Sequence, residues 1–193
     1  MRTKLRRHAR WLKAAVRQET RFDYQEHFWT FLGAFAGIAL IGLLNRARLP
    51  ADAPLLIGSF GASAVLVYGA VNSPLAQPRN LLGGHVLGAF VGVTLHRWLP
   101  QEPWLAAALA VALSIVAMQI TQTLHPPGGA TALIAVVGSP KLQALGYGYV
   151  LMPVLAGALV LLLVALCVNN ATATRRYPTH RHWYRVWKRR YPS

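Results

Sequence analysis

Charged side chains are nearly absent from the long middle of this sequence, and that pattern constrains the fold more than any other feature. Fifteen of the 20 Lys and Arg residues lie in residues 1–27 and 169–193, which leaves five for the 141 positions between them. The whole chain is 54% hydrophobic and 13% charged. A soluble domain needs a polar surface that such a middle cannot supply. We therefore predict a membrane protein with two basic tails.

The charge pattern divides the chain into three parts. Residues 1–27 mix Leu, Trp and Val with Arg and Lys, which predicts a basic amphipathic segment lying on anionic lipid headgroups. Residues 28–168 form the predicted transmembrane domain, and residues 169–193 form a basic tail. The positive-inside rule places both tails in the cytoplasm, with the protein in the inner membrane as a multi-pass chain. Because the basic run adjoins a membrane span, we expect a lipid partner rather than nucleic acid.

Apolar runs in the middle part predict an all-α, polytopic helical bundle with four to six membrane segments. The runs are residues 28–44, 54–71, 81–95, 104–124, 129–138 and 144–168. Several of them are at or below the lower limit of about 17 residues for a straight crossing. Short or broken helices are therefore expected.

The most unusual run is Leu-His-Pro-Pro-Gly-Gly-Ala-Thr-Ala-Leu, at residues 124–133. Pro126 and Pro127 remove two backbone donors, so we expect a helix to stop at Leu124 and to restart near Gly128. The restart would leave unpaired amides at the positive end of a helix dipole, which is an arrangement that binds anions. These amides belong to Gly128, Gly129, Ala130 and Thr131.

Two short matches indicate an internal repeat. Residues 61–66 (GASAVL) match residues 129–134 (GATALI), and residues 73–77 (SPLAQ) match residues 139–143 (SPKLQ). The predicted repeats are residues 28–97 and 104–168. With three segments in each copy, the second copy must be inverted, as in many secondary transporters. A four-span arrangement with re-entrant pieces also keeps both tails on one side of the membrane. The charge of the tails therefore does not distinguish four spans from six.

Four ordered motifs resemble the HPP family of integral membrane proteins, which is named after a His-Pro-Pro motif. The motifs are residues 58–64 (GSFGASA), 73–80 (SPLAQPRN), 83–85 (GGH) and 125–133 (HPPGGATAL). The resemblance covers about residues 28–168. It implies a membrane domain, usually described with four transmembrane segments. Plant plastid members are described as nitrite transporters, so the resemblance also implies transport of a small anion.

The candidate anion site lies at the two glycine-rich breaks and at the polar groups near them. Its predicted members are Ser59, Gly61, Ser63, Arg79, His85, His125, Gly128, Gly129, Ala130 and Thr131. A structural role is predicted for Ser73, Pro74, Gln77, Asn80, Pro126 and Pro127, with Asn80 as the cap of the third helix. The alternatives are that the glycines only permit close helix packing, that the histidines are neutral and structural, and that Arg79 is an interfacial anchor.

The sequence does not favour enzymatic chemistry. The five acidic residues lie outside the predicted spans, so a carboxylate pair in the core is not available. We expect no metal, because no carboxylate or cysteine cluster accompanies the histidines, and we expect no cofactor. The predicted function is a transporter or channel for a small anion, with nitrite as the first candidate. The alternative is a non-transporting membrane subunit that docks a partner through its basic tails; assembly as a homo-oligomer is open in both cases.

Overall fold

The computed structural model of the chain describes residues 23–48 and 55–179, and these residues form helices and turns with no β-strand. The helices are α1 (Tyr24–Arg48), α2 (Gly58–Ala64), α3 (Pro78–Trp98), α4 (Pro103–Ile120), α5 (Pro126–Val137), α6 (Pro140–Ala144) and α7 (Ala156–Asn169). π-Helical turns at Val65–Gly69 and Val150–Leu155 extend α2 and precede α7, and a 3-10 turn at Pro74–Ala76 precedes α3. The predicted all-α helical membrane bundle is confirmed. Most of the predicted amphipathic segment, 1–27, and of the basic tail lies outside the described residues.

The start of α1 and the end of α7 lie together. Arg175, which follows α7, forms an ion pair of 2.7 Å with Glu26 in the first turn of α1. We call this side of the bundle the Arg175 end. At the opposite side, the guanidinium of Arg97 near the end of α3 lies 5.1 Å from the ring centre of Tyr147, and we call it the Arg97 end. Since the described part of the chain starts and finishes at the same end, it crosses the bundle an even number of times.

Helix α3 lies in the middle of the bundle, in contact with α4, α5 and α7. It runs parallel to α5, and small residues allow the two backbones to approach closely. A side chain at Gly88 would overlap the carbonyl of Gly128, and one at Gly92 would overlap the carbonyl of Ala132. This is the close packing of small residues that membrane helices use in place of a hydrophobic driving force.

Large apolar side chains point outward from the bundle, as expected for helices that face lipid. Three helical stretches are long and apolar enough to cross a membrane, namely Tyr24–Arg46, Pro103–Ile120 and Val150–Asn169. Two shorter apolar helices, Gly58–Gly69 and Pro126–Val137, would each extend about 18 Å, against an apolar bilayer core of about 30 Å. The expectation of short and broken helices is therefore confirmed.

Three predicted helix boundaries differ from the structure. Helix α4 ends at Ile120, four residues before the predicted stop at Leu124, and Gln122 follows with a φ of 56°. Helix α5 begins at Pro126 rather than near Gly128, because a proline in the first helical turn lacks only an amide that would have no partner there. The last predicted span, 144–168, is interrupted after α6, where Gly146 has a φ of 52° that favours glycine.

The two Ser-Pro turns that match in sequence are also built alike. The hydroxyls of Ser73 and Ser139 accept hydrogen bonds from amides two and three positions later, at 3.2 and 3.4 Å. The Gln77 side chain donates to carbonyls six and four positions earlier, at 3.1 and 2.9 Å, and Gln143 donates to the carbonyl seven positions earlier, at 2.7 Å. The shared motif thus begins a serine-capped turn in each half of the chain, a 3-10 turn in the first and a short α-helix in the second.

Candidate functional site: a buried histidine and hydroxyl cluster

Five of the predicted site residues come together inside the bundle. Ser59 and Ser63 come from α2, His85 from α3, His125 from the residue before α5, and Thr131 from α5 itself. Each side chain is at most 1% exposed. We call these five residues the polar cluster. A group of polar side chains buried this deeply among apolar helices is costly unless each one is hydrogen-bonded.

One hydroxyl joins the two histidines. Ser63 Oγ lies 2.7 Å from His85 Nε2 and 2.9 Å from His125 Nε2. The two imidazole rings are tilted by 59°, with their centres 5.1 Å apart. The two Nε2 atoms are therefore joined through the Ser63 hydroxyl.

The other two imidazole nitrogens have different kinds of partner. His85 Nδ1 lies 2.7 Å from the hydroxyl oxygen of Thr131, whereas His125 Nδ1 lies 2.8 Å from the main-chain carbonyl of Leu75. Thr131 Oγ1 also lies 2.9 Å from Ser59 Oγ and 3.1 Å from the carbonyl of Pro127. The cluster is thus a continuous chain of hydrogen bonds from Ser59 to Leu75.

The His-Pro-Pro motif explains why His125 can reach this position. A residue before proline is pushed out of the helical region, and His125 has an extended backbone with φ −140° and ψ 106°. It therefore caps α5 from outside the helix, and its ring turns towards α2 and the Leu75 turn. Thr131 follows within the helix, so one short motif supplies two members of the cluster.

Helices α2 and α5 meet in opposite directions at the cluster. Ser63 contacts His125 at the start of α5, whereas Ser59, one turn earlier in α2, contacts Thr131 farther along α5. The two glycine-rich breaks that match in sequence are therefore neighbours in space. Their polar residues form one site rather than two.

Sequence reasoning missed two contributors to the site. The hydroxyl of Tyr149, which is 1% exposed, donates to the carbonyl of Thr131 at 3.2 Å. The ring of Phe60 meets His85 edge-on, with centres 5.3 Å apart. Tyr149 lies outside the four motifs, and Phe60 lies within the motif at residues 58–64 but is an apolar residue, which does not indicate a polar site. The Leu75 carbonyl belongs to the main chain, which carries no residue-specific signal.

The predicted cradle of free amides is wrong. Gly128 N already donates to the carbonyl of His125 at 2.8 Å, because α5 starts two residues earlier than expected. Ala130 and Thr131 lie inside the helix, where amides bond to carbonyls of the preceding turn. Gly128 packs against α3, and Gly129 lies in ordinary contact distance of Val111. Close helix packing therefore accounts for Gly128, whereas the space around Gly129 would admit a side chain.

The remaining predicted site residues lie away from the polar cluster. Gly61 is exposed on the outer face of α2, where a side chain would meet no other atom within 4 Å of its Cβ. Arg79 donates to the carbonyl of Thr121 after α4. Asn80 donates to the carbonyl of Leu124 at 2.7 Å, and the prediction that it caps α3 is wrong, since that helix begins at Pro78 with Gln77 as its cap. Both side chains tie α3 to the loop before His125.

The side chains of the polar cluster all have hydrogen-bond partners. Within residues 23–48 and 55–179, no buried side-chain nitrogen or oxygen lacks a hydrogen-bond partner. The acids in these ranges lie at helix starts, where Asp23 accepts from nearby amides, Glu26 pairs with Arg175 and Glu102 accepts from Trp104. The same ranges hold no group of three His, Cys, Asp or Glu side chains placed to bind a metal. The described acidic side chains therefore bond elsewhere, and the side chains of the cluster bond to one another and to main-chain carbonyls.

Comparison with known proteins places these features in a wider group. The sequence model of the HPP transmembrane region matches residues 19–178. Two transmembrane proteins of Dictyostelium discoideum are 48% identical to the chain over 162 residues and 44% identical over 170 residues. These matches cover 82% and 86% of this chain but 56% and 54% of the relatives, so the chain spans about half the length of the curated relatives it matches. No solved structure shows a significant match.

Proposed function

The chain belongs to the HPP family of membrane proteins, and from that premise we propose that it moves a small monovalent anion of the nitrite class across a membrane. The observation that carries the proposal is the polar cluster itself. Ionisable side chains buried among membrane helices are rare and usually mark the path of a substrate or ion. His85 and His125 are both fully buried, and they meet where two short helices come together.

The chemistry of the cluster suits a small anion. Three hydroxyls and two imidazoles can donate hydrogen bonds to an oxyanion, and α5 directs the positive end of its dipole towards His125. No carboxylate of the described residues reaches the cluster, so an anion would meet no repelling charge there. Binding would require the anion to replace bonds within the cluster, which favours weak binding and rapid release.

A polar cleft supplies a route from the Arg175 end. The cleft has a volume of about 350 Å³, and its lining includes Glu26, Asn72, Ser73 and Arg175. Ser73 is the cap of the short turn that contains Leu75, whose carbonyl binds His125. The turn thus lies next to the cleft at Ser73 and next to the cluster at Leu75, and we propose that a shift of this turn connects them.

Alternating access is the mechanism that we propose for this route. Helices α1 to α3 and helices α4, α5 and α7 form two sets of three segments, and the Ser-Pro turns correspond between the sets. We propose that the sets are inverted repeats of residues 28–97 and 104–168, as in secondary transporters whose site lies at the repeat interface. The cluster takes Ser59, Ser63 and His85 from one set and His125 and Thr131 from the other. Movement of one set against the other would open the cluster to each side in turn.

Flux through purified protein in liposomes tests the proposal. The influx of nitrite, nitrate, formate and chloride is compared with that into protein-free liposomes. Thr131→Val keeps the shape of the side chain but removes the hydroxyl that binds His85, whereas Thr131→Ser keeps the hydroxyl. Loss of a buried partner costs about 1–3 kcal/mol, so we expect Thr131→Val to lower nitrite influx by about tenfold or more. The nitrite influx of Thr131→Ser should stay close to that of the unaltered chain.

The opposite result would favour a membrane subunit that transports nothing. If no anion enters above the protein-free level while the protein is inserted with full helical content, the proposed function fails. The alternative role, docking of a partner through the basic tails, would then predict an effect of charge reversal at Arg185, Lys188, Arg189 and Arg190. Those residues lie outside the described part of the chain.

A further inference from the structure

We infer that the anion moves together with one proton, which a histidine of the polar cluster takes up and which passes between His85 and His125 through the hydroxyl of Ser63. This inference rests on the proposed function, since it names the coupling ion of that transport. The hydrogen of each contact within the cluster can be assigned to one of its two atoms, because each hydroxyl has one hydrogen and a neutral imidazole has one N–H.

The direction of the hydrogen-bond chain is fixed at the Leu75 carbonyl. A carbonyl oxygen can only accept, so His125 Nδ1 must carry the hydrogen of this 2.8 Å contact. A neutral imidazole has a single N–H, and His125 Nε2 therefore accepts. The only hydrogen available for it is the hydroxyl hydrogen of Ser63, at 2.9 Å.

The same count continues through the rest of the cluster. Because the one hydrogen of the Ser63 hydroxyl already points to His125, the Ser63 oxygen must accept from His85 Nε2 at 2.7 Å. His85 Nδ1 then accepts from the Thr131 hydroxyl at 2.7 Å, so the one hydrogen of that hydroxyl points to His85. In the uncharged cluster all donors thus point the same way, from Thr131 towards Leu75.

Thr131 Oγ1 has two further acceptors that its single hydrogen does not reach in the uncharged cluster, the Ser59 hydroxyl at 2.9 Å and the Pro127 carbonyl, and the carbonyl makes room for one more proton. The Pro127 carbonyl lies 3.1 Å from Thr131 Oγ1, but in the uncharged cluster the Thr131 hydrogen points to His85. When a proton is added at His85 Nδ1, this nitrogen donates to Thr131, and the Thr131 hydroxyl turns to donate to Pro127. Every hydrogen bond from Thr131 to Leu75 is then still made. The network is therefore built to hold either no extra proton or one.

The added proton can pass from one histidine to the other without any heavy atom leaving its place. The O–H bond of Ser63 breaks and its proton joins His125 Nε2, while the Nε2–H bond of His85 breaks and its proton joins Ser63 Oγ. His85 becomes neutral and His125 becomes the imidazolium, with both of its nitrogens donating. Proton number and charge are conserved, and each contact keeps one hydrogen. Of the side chains in residues 23–48 and 55–179, Ser63 is the one that bridges the two imidazoles.

The surroundings explain why the proton should travel with an anion. The groups that face the cluster from neighbouring elements are the hydroxyl of Tyr149, the ring of Phe60 and main-chain carbonyls, none of which is charged. Among the described residues no carboxylate is present to balance an imidazolium. A buried unpaired charge is strongly unfavourable, so the protonated cluster needs a bound anion, and an anion needs the protonated cluster. The predicted stoichiometry is one proton per anion.

The test separates the driving forces in proteoliposomes. Membrane potential is clamped with valinomycin and potassium, and initial nitrite influx is measured after subtraction of the leak of nitrous acid through protein-free liposomes. One-to-one coupling moves no net charge, so a pH gradient that is alkaline inside should drive influx at zero potential, and a potential alone should not. A uniporter would instead change its equilibrium nitrite ratio tenfold for about 59 mV of potential. That second result would overturn the inference and leave the proposed anion transport standing.

Variants of buried serines test the bridge. Ser63→Ala removes the hydroxyl between the histidines, and we expect it to lower pH-driven influx by about tenfold or more. Ser114→Ala removes a hydroxyl of equal burial in α4 that bonds only to Val111, and it should leave the influx unchanged. Ser63→Cys serves as a second variant if Ser63→Ala does not fold, since a thiol is a weaker donor and should slow the flux. Unchanged pH-driven influx in a folded Ser63 variant would overturn the inference, whereas absence of all flux in the unaltered chain would overturn the proposed function.

Discussion

Gly88 of α3 lies directly against the carbonyl of Gly128 of α5, and no side chain fits between them. The obstacle is main chain rather than the end of a flexible side chain, so it cannot move aside without shifting a helix. This contact holds α3 and α5 at the distance at which His85 and Thr131 can form their hydrogen bond.

Gly88→Ala should therefore destabilise the bundle. Overpacking of a well-packed core costs about 1–3 kcal/mol, and we expect the upper part of that range because backbone must shift. The measurement is thermal unfolding in detergent, followed by the helical circular dichroism signal. Gly61→Ala is the matched control, since Gly61 has open space around it and alanine gains about 0.5–1 kcal/mol over glycine in a helix. Equal stability of the two variants would contradict the packing described.

Arg175→Gln should loosen the Arg175 end. The buried guanidinium donates to the carboxylate of Glu26 at 2.8 Å, to Thr30 at 2.8 Å and to the carbonyl of Tyr68 at 3.2 Å. Hydrogen bonds of charged groups contribute about 1.5–3 kcal/mol, so we expect a loss of about 2–4 kcal/mol in the free energy of unfolding. The neighbouring Arg176 is exposed. Arg176→Gln removes the same charge, and we expect it to change the free energy of unfolding by no more than about 0.5 kcal/mol. A similar loss in both variants would point to net charge rather than to these contacts.

Tyr177→Phe should weaken the contact between the segment after α7 and the Ala76 turn. The Tyr177 hydroxyl is buried and donates to the carbonyl of Ala76 at 2.8 Å. Its removal leaves that carbonyl without this partner, at an expected cost of about 1–3 kcal/mol. Tyr147→Phe removes an exposed hydroxyl that contacts Thr94, and we expect it to change the free energy of unfolding little. Chemical denaturation of both variants in the same detergent checks the difference.

Cysteine labelling should find the two ends of the bundle on opposite sides of the membrane. In a Cys167→Ala background, Ala171→Cys lies at the Arg175 end and Gln101→Cys lies in the loop between α3 and α4, near the Arg97 end; both positions are exposed. A membrane-impermeant maleimide added outside intact cells should label Gln101→Cys, and it should reach Ala171→Cys only after the cells are opened. This outcome follows from the proposed cytoplasmic tails. Labelling of both positions from outside would contradict the topology.

Most of the architecture could be predicted from the sequence, because membrane helices leave strong signals. Low charge over residues 28–168 predicts the bundle, and the short apolar runs predict the short helices. The matching Ser-Pro motifs form turns in which the serine hydroxyl caps the turn in both halves. These features depend on composition and local hydrogen bonding, which can be read along the chain.

The site was only partly predictable. His85, His125, Thr131, Ser59 and Ser63 could be singled out as polar residues in apolar runs. The bridge that the Ser63 hydroxyl forms between His85 and His125 could not be predicted, since it depends on how α2, α3 and α5 pack.

The prediction of free amides at residues 128–131 was wrong because two prolines fit the first turn of α5. Pro126 therefore starts that helix, and Gly128 N finds a partner in the carbonyl of His125. Arg79 and Asn80 likewise bind carbonyls of the loop after α4, which only the packed structure brings near them.

The most direct measurement is the nitrogen-15 NMR spectrum of the histidines in membrane-embedded protein, with and without nitrite, assigned with His85→Gln and His125→Gln. Without anion, we predict neutral rings, with the hydrogen on Nδ1 of His125 and on Nε2 of His85. With nitrite, one of these two rings should become an imidazolium while the other histidines stay unchanged. Opposite tautomers, or spectra of His85 and His125 that do not respond to nitrite, would contradict the account of the polar cluster as the site of an anion and its proton.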